Sequence, residues 1–293
     1  MDDVILTGEQ TEQIKGFQKN EITEYRIYQR LARNTKNREN SKVLEKIANE
    51  ELAHYRFWKT FTGTEIRPAG GKVIFYYLIA RILGLTFGIK LMERGESQAN
   101  KNYNSFARII PEAVKIASDE DAHEHELIKM IQEEKLNYIG SVVLGLNDAL
   151  VELTGALAGF SFALQNTRVI ALVGLITGIA ASLSMAASEY LSNKAEESGS
   201  KAVVAALYTG LAYVFTVLIL ILPYFLFSYY LVCLAITILL AVVIIFLFNF
   251  YISVAKDYNF GKRFVEMLLI SLGVTFISFW IGFLIRNVFG IEV

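Results

Sequence analysis

Two short segments carry metal-binding residue types at a spacing that brings them together. Glu51-Leu52-Ala53-His54 and Glu120-Asp121-Ala122-His123 each place a glutamate three residues before a histidine. On a helix, positions i and i+3 share a face, so each segment aims one carboxylate and one imidazole at the same point. Two such helices, joined by single glutamates from two further helices, form the ligand set of a di-iron or di-manganese bundle. The single glutamates are available: Glu21, with Glu24 a turn later, and Glu96, with Glu93 a turn earlier. Carboxylates suit hard cations and neutral imidazole suits Fe(II), so the residue types match that chemistry. One Glu-x-x-His arises easily on a solvated helix; the signal lies in the pair and in the order of the four segments. His125, two residues past His123, points to a different face and reads as a surface residue, with a relay or auxiliary ligand as the alternative.

The elements that must position these groups read as helices. Apolar residues recur at three- and four-residue intervals, as in Ile14, Phe17, Ile22 and Tyr25, without strand alternation. Four helices are expected, over 8–34, 39–62, 73–106 and 112–137, with Pro68 and Pro111 between elements. Glu112, Asp119, Glu124, Glu126, Glu133 and Glu134 make the fourth strongly acidic, a potential that draws cations.

These segments resemble rubrerythrin in the ferritin-like superfamily. The resemblance rests on Gly16-Phe17 to Glu21 with Tyr28, Glu51-x-x-His54, Gly95-Glu96 followed by Tyr103-x-x-Phe106-Ala107, and Glu120-x-x-His123, and covers most of 8–135. It implies that Glu51 and Glu120 bridge two metals, with Glu21, Glu96, His54 and His123 as further ligands. The second helix-three glutamate of that family falls on Ala99 here, with Glu93 on the other side as its candidate replacement. The chain has one cysteine, Cys233, so it holds no Cys-x-x-Cys electron relay.

The second part of the chain has another character. Residues 1–138 hold 42 of the 57 Asp, Glu, Lys and Arg of the 293-residue chain, and the rest holds 15. A soluble part, 1–137, is therefore expected to precede a membrane part, 138–293. The formal net charge of −1 and the lack of a Lys/Arg run exclude a nucleic-acid partner. Five apolar runs are long enough to cross a bilayer, at roughly 139–164, 168–191, 202–222, 228–250 and 265–289, with a turn at Pro223-Tyr224. Lys194, Lys201, Lys256, Lys262 and Arg263 fall in the loops on the side of the N-terminal part, against Arg168 and Arg286 on the other. That bias places the N-terminal part in the cytoplasm and the C-terminus outside. Met1-Asp2-Asp3 does not open a signal peptide. Residues 73–92 are apolar but interrupted by Arg81 and Lys90. They are expected to lie on the inner leaflet as an amphipathic helix, aromatic side down, with Lys72, Arg81 and Lys90 at the headgroups; a core helix is the alternative.

Acidic residues within spans are costly and usually functional. Asp148 and Glu152 share a face in the first span, and Met185 and Glu189 share one in the second. Three carboxylates and a thioether make a polar path suited to a divalent transition metal. Gly155, Gly159, Gly174 and Gly178 let helices, or two chains, approach closely. The segments Gly145-Leu-Asn-Asp148 to Gly159 and Ser184-Met185-Ala-Ala-Ser-Glu189-Tyr190 resemble the vacuolar iron transporter family, over roughly 140–290. That resemblance implies a five-span homodimer moving Fe(II) or Mn(II) out of the cytosol in exchange for protons, with Asp148 and Met185 as translocation residues and Glu152 and Glu189 nearby. The plant members carry a cytosolic metal-collecting insert between spans two and three, for which Asn193–Lys201 is too short. The N-terminal bundle takes that place in the membrane-bound ferritins that fuse the two modules.

The expectation is thus an all-α chain, a ferritin-like four-helix bundle followed by a five-helix transmembrane domain, acting as a metal exporter. Compactness and the absence of targeting segments favour a prokaryotic plasma membrane. A membrane-anchored ferroxidase or peroxidase, and an iron or peroxide sensor, are the alternatives.

Overall fold

The computed structural model describes residues 6–106, 109–130, 138–196 and 199–289. The chain forms two compact units, Met1–Glu133 and Glu134–Val293. Among the described residues the secondary structure is entirely helical, in ten helices.

The first unit contains α1 (Gly8–Asn34), α2 (Arg38–Thr62), α3 (Gly70–Leu83), α4 (Leu85–Phe106) and α5 (Ala113–Met130). Thr7 and Gln10 close a capping box that starts α1, and Asn37 accepts from the first amides of α2. α2 ends at Gly63, whose φ of 65° is open to glycine at little cost. The return loop is tied to α1: the Ala69 amide donates to Thr23 Oγ1 at 2.9 Å, and the Gln18 amide to the Thr64 carbonyl at 2.9 Å. Two apolar clusters flank the middle of the helices. One gathers Tyr28, Leu44, Ile47, Met92 and Leu127, the other Ile14, Phe17, Trp58, Phe106 and Ile116.

The single third helix expected over 73–106 is two helices. Gly84, at φ 108° and ψ 149°, breaks it in a conformation that only glycine adopts freely. α3 and α4 then fold together closely, because a Cβ on Gly88 would stand 2.5 Å from that of Ala80. One element of the expected interfacial helix changes accordingly: Lys90 is buried in α4 rather than exposed with Lys72 and Arg81. Residues 131–137, the expected end of the fourth helix with Glu133 and Glu134, lie outside the described residues.

The second unit contains α6 (Ile139–Leu164), α7 (Thr167–Glu196), α8 (Gly199–Leu226), α9 (Tyr230–Lys256) and α10 (Phe260–Phe289), each long and apolar enough to span a bilayer. Pro223 does not form the expected turn; α8 runs past it to Leu226, and the turn is Phe227–Tyr229. Small residues set the helix crossings. A Cβ on Gly145 would lie 2.2 Å from the Thr209 carbonyl oxygen, and one on Gly282 2.3 Å from that of Gly159. Hydroxyls bind the interior, as in Ser161–Tyr224 at 2.7 Å and Thr237 donating to the Leu220 carbonyl at 2.9 Å. Large apolar side chains such as Leu211, Phe215, Phe225 and Ile277 remain exposed, which a lipid solvent accommodates.

Candidate metal centre and membrane carboxylates

Three helices of the first unit deliver the polar cluster from positions that a core would normally fill. The buried stripe of α2 runs Leu44, Ile47, Glu51, His54, Trp58; that of α5 runs Ala113, Ile116, Glu120, His123, Leu127; that of α1 includes Ile14, Phe17, Glu21, Glu24 and Tyr28. The three- and four-residue spacing that buries the apolar members buries the carboxylates with them. Glu21, Glu51, His54 and Glu120 each offer a ligand atom within 4.8 Å of the others.

The geometry turns on the two imidazoles. His54 Nδ1 stands 3.0 Å from Glu120 Oε1, 3.5 Å from Glu21 Oε2 and 3.7 Å from Glu51 Oε2. His123 Nδ1 stands 3.4 Å from Glu51 Oε1. Glu51 therefore offers one oxygen to each histidine, and the rings lie 5.9 Å apart at 23°. None of these approaches has hydrogen-bond geometry. Glu51 Oε2, Glu120 Oε1, His54 Nδ1 and His123 Nδ1 are buried without a hydrogen-bond partner among the described residues. Buried polar atoms are normally satisfied, so a cluster of convergent, unsatisfied carboxylate and imidazole atoms fits a cation.

The electrostatics agree. Burial raises the Glu51 carboxyl well above its ordinary range, reinforced by the charges of Glu120 and Glu21 against the pull of His54. Burial likewise raises Glu120, opposed by His54 and aided by Glu21. His54 resists the lowering effect of burial: Glu120, Glu21 and Glu51 hold its imidazolium up to about 12. Burial dominates at His123 and lowers it, with Glu50 opposing. In the metal-free site a proton on His54 thus stands where a dication would neutralise the carboxylates.

The outward nitrogens are paired crosswise. His54 Nε2 lies 3.7 Å from Asp119 Oδ2, and His123 Nε2 lies 2.7 Å from Glu50 Oε2. Each of these acids immediately precedes the glutamate of the opposite Glu-x-x-His segment. At 3.7 Å Asp119 is beyond hydrogen-bond reach, and Glu50 Oε2 lacks a hydrogen-bond partner among the described residues; both stand beside Nε2 as charges, on the side away from the Nδ1 atoms that face the cluster. Glu50, Asp119, His54 and His123 also line a cavity of about 630 Å³, with Lys46 and Glu112. The Trp58 indole donates to Glu21 Oε1 at 3.1 Å and orients it.

Glu93 is not one of those four and accepts from the Tyr28 hydroxyl at 2.5 Å. Burial and the charges of Glu93 and Glu51 raise Tyr28, which keeps it a donor. α4 carries Glu96, but its side chain, like those of His125, Glu124 and Glu126, lies outside the described residues.

In the second unit the four expected path residues do not meet in one ligand shell within the single chain. Asp148 is half-buried on α6, and Glu152, a turn later, is exposed and accepts from Tyr213 of α8 at 2.7 Å. Glu189 of α7 accepts from Ser141 of α6 at 2.7 Å, and Met185 packs against the core. Glu266 of α10, which no sequence pattern singled out, lines a groove of about 520 Å³ with Asn147, Asn249, Lys262 and Arg263.

A model of the VIT family matches residues 139–202, which span α6, α7 and the start of α8. No curated protein and no solved structure matches the chain.

Proposed function

We propose that the chain exports Fe(II), with Mn(II) as a second cargo, from the cytosol in exchange for protons, and that its first unit is a ferritin-like di-iron module that collects, oxidises or senses iron. The five spans and the VIT match make it an integral membrane protein and point to metal-ion transport. The observation that carries the reading is that the matched stretch contains all four expected path residues, Asp148, Glu152, Met185 and Glu189. A carboxylate within a bilayer can hold either a proton or a metal ion, the property that antiport requires. Exposed Glu152 and half-buried Asp148 leave these groups available to a second copy, in keeping with a homodimer. The domains of this reading are 1–137 and 138–293, the first cytoplasmic and the C-terminus outside, in a prokaryotic plasma membrane.

In the first unit, Glu21, Glu51, His54 and Glu120 would hold one ion, and His123, reached by the second oxygen of Glu51, would serve another. Glu93 and Glu96 complete the proposed set on α4. Bound iron supplies redox chemistry toward oxygen or peroxide. The protein's own share is to neutralise the ions with buried carboxylates, flank both imidazoles with the charges of Asp119 and Glu50, and admit solvent through the cavity beside them.

The test is Fe(II) flux into proteoliposomes for wild type, Asp148→Ala and the Glu51→Ala/Glu120→Ala pair. Loss of flux in Asp148→Ala with slowed or deregulated flux in the pair is expected. A wild type that carries no metal but consumes oxygen or peroxide with Fe(II) would make the second unit an anchor and the protein an oxidase.

A further inference from the structure

α3 has two faces of different use. Val73, Tyr76, Tyr77 and Ala80 pack inward against the cluster around Tyr28 and Leu44. Ile74, Phe75, Leu78 and Ile82 point the other way and are 52%, 55%, 47% and 75% exposed. At 100° per residue these four occupy an arc of about 100°, opposite the packed residues. Lys72 falls beyond one edge of the arc and Arg81 beyond the other, both exposed. Arg81 reaches the Asn34 carbonyl at 3.4 Å through one guanidinium nitrogen. α3 contains no Asp or Glu. Its 14 residues extend about 21 Å, short of the roughly 30 Å hydrocarbon core.

We infer that this face of α3 docks on the surface of an anionic bilayer, with Ile74, Phe75, Leu78 and Ile82 below the headgroups and Lys72 and Arg81 among them. An apolar arc edged by cations is the form of an interfacial helix. The five spans of the same chain keep a membrane within reach at high effective concentration. A second copy is the poorer occupant, since pairing two such faces would bring cations together without a carboxylate from α3 to offset them. The face differs from that expected of the sequence: Tyr76 and Tyr77 turn inward, and the lipid side is mainly aliphatic. The proposal rests on neither the metal site nor transport.

The test uses the full chain in vesicles of phosphatidylcholine and phosphatidylglycerol at 3:1, and of phosphatidylcholine alone. Ile82→Cys, Leu78→Cys and, as control, Glu12→Cys near the start of α1 each carry a fluorophore; Cys233 is buried and stays unlabelled. The Ile82 and Leu78 probes should be quenched by lipid spin-labelled near the headgroup and protected from aqueous iodide, with the reverse at Glu12. Lys72→Gln/Arg81→Gln should lower the ratio of docked to undocked protein about 30-fold in the anionic vesicles, with no such change in phosphatidylcholine. Iodide quenching at Ile82 equal to that at Glu12 would overturn the proposal. So would a probe shielded from both quenchers that crosslinks to a second copy. Indifference to the charge variant in both lipids would refute the role of the two cations.

Discussion

Glu51→Gln should move the stability of the first unit in opposite directions according to whether metal is present. The substitution keeps the shape of a side chain that is 1% exposed and removes its charge. In the metal-free protein, burial and the charges of Glu120 and Glu21 keep the Glu51 carboxyl protonated above its ordinary range. Folding above the ordinary carboxylate range therefore favours taking up a proton that the unfolded carboxylate lacks, and Gln avoids this cost. A tenfold rise in the folded carboxyl's proton affinity is worth about 1.4 kcal/mol above the ordinary range, so a gain of about that size is expected, about 4–8 °C in melting temperature for a unit of this size. The gain should vanish below about pH 4.5, where the unfolded side chain is protonated too. Metal at 100 times its Kd adds about 2.7 kcal/mol to the wild type, and the Gln variant, which has lost the charge and one of the two oxygens that face the imidazoles, should gain much less. Trp58 is a local reporter, since its indole bonds Glu21; a Trp280→Phe background isolates its fluorescence in thermal melts. If Glu51→Gln destabilised the metal-free unit and left the metal-induced shift intact, the cluster would be a structural network and Glu51 no ligand.

The pH dependence should also invert on loading. Glu51, Glu120 and His54 all have raised folded pKa values, so the folded state binds more protons and the metal-free unit should lose stability as pH rises from about 5 to 8. His123, lowered on folding, contributes with the opposite sign below about pH 6.5 and offsets part of this. Mn(II) competes with the same protons, so the loaded unit should gain stability over that range; urea midpoints from Trp58 fluorescence at both pH values decide. Glu50→Gln and Asp119→Asn should each weaken Mn(II) binding about 10–100-fold by removing the charges beside the outward imidazole nitrogens, read by titration calorimetry, while unchanged affinity would remove them from the site.

The approach of Glu51 to His54 was legible because an i,i+3 step has one meaning on a helix; Glu120, expected to share a point with His123, lies 3.0 Å from His54 instead. Glu50 and Asp119 were not, because they act across helices: each sits about 100° around its own helix from the adjacent glutamate and finds its histidine on the other. The break at Gly84 was hidden in a continuous apolar run, where glycine is tolerated within a helix as readily as it ends one. Lys90 was misplaced for the same reason, since the fold at Gly84 turns α4 and its lysine inward. The spans were legible from length and apolarity. The end of the third was not, because a proline in the last turn of a helix, packed beside the core residue Tyr224, leaves enough neighbouring contacts to continue it.

The glycine crossings of the second unit restrict how it can move. α6 meets α8 at Gly145 and α10 at Gly159, near its two ends, and at each point a backbone oxygen occupies the space of a missing side chain. Mechanically α6 is a shaft seated in two bearings, with no clearance for sliding or for independent rotation. α7 is seated in the same way, Gly174 against Leu157 of α6 and Gly178 against Val217 of α8, so a motion that changes access to Asp148 without parting these crossings carries α6, α7, α8 and α10 together.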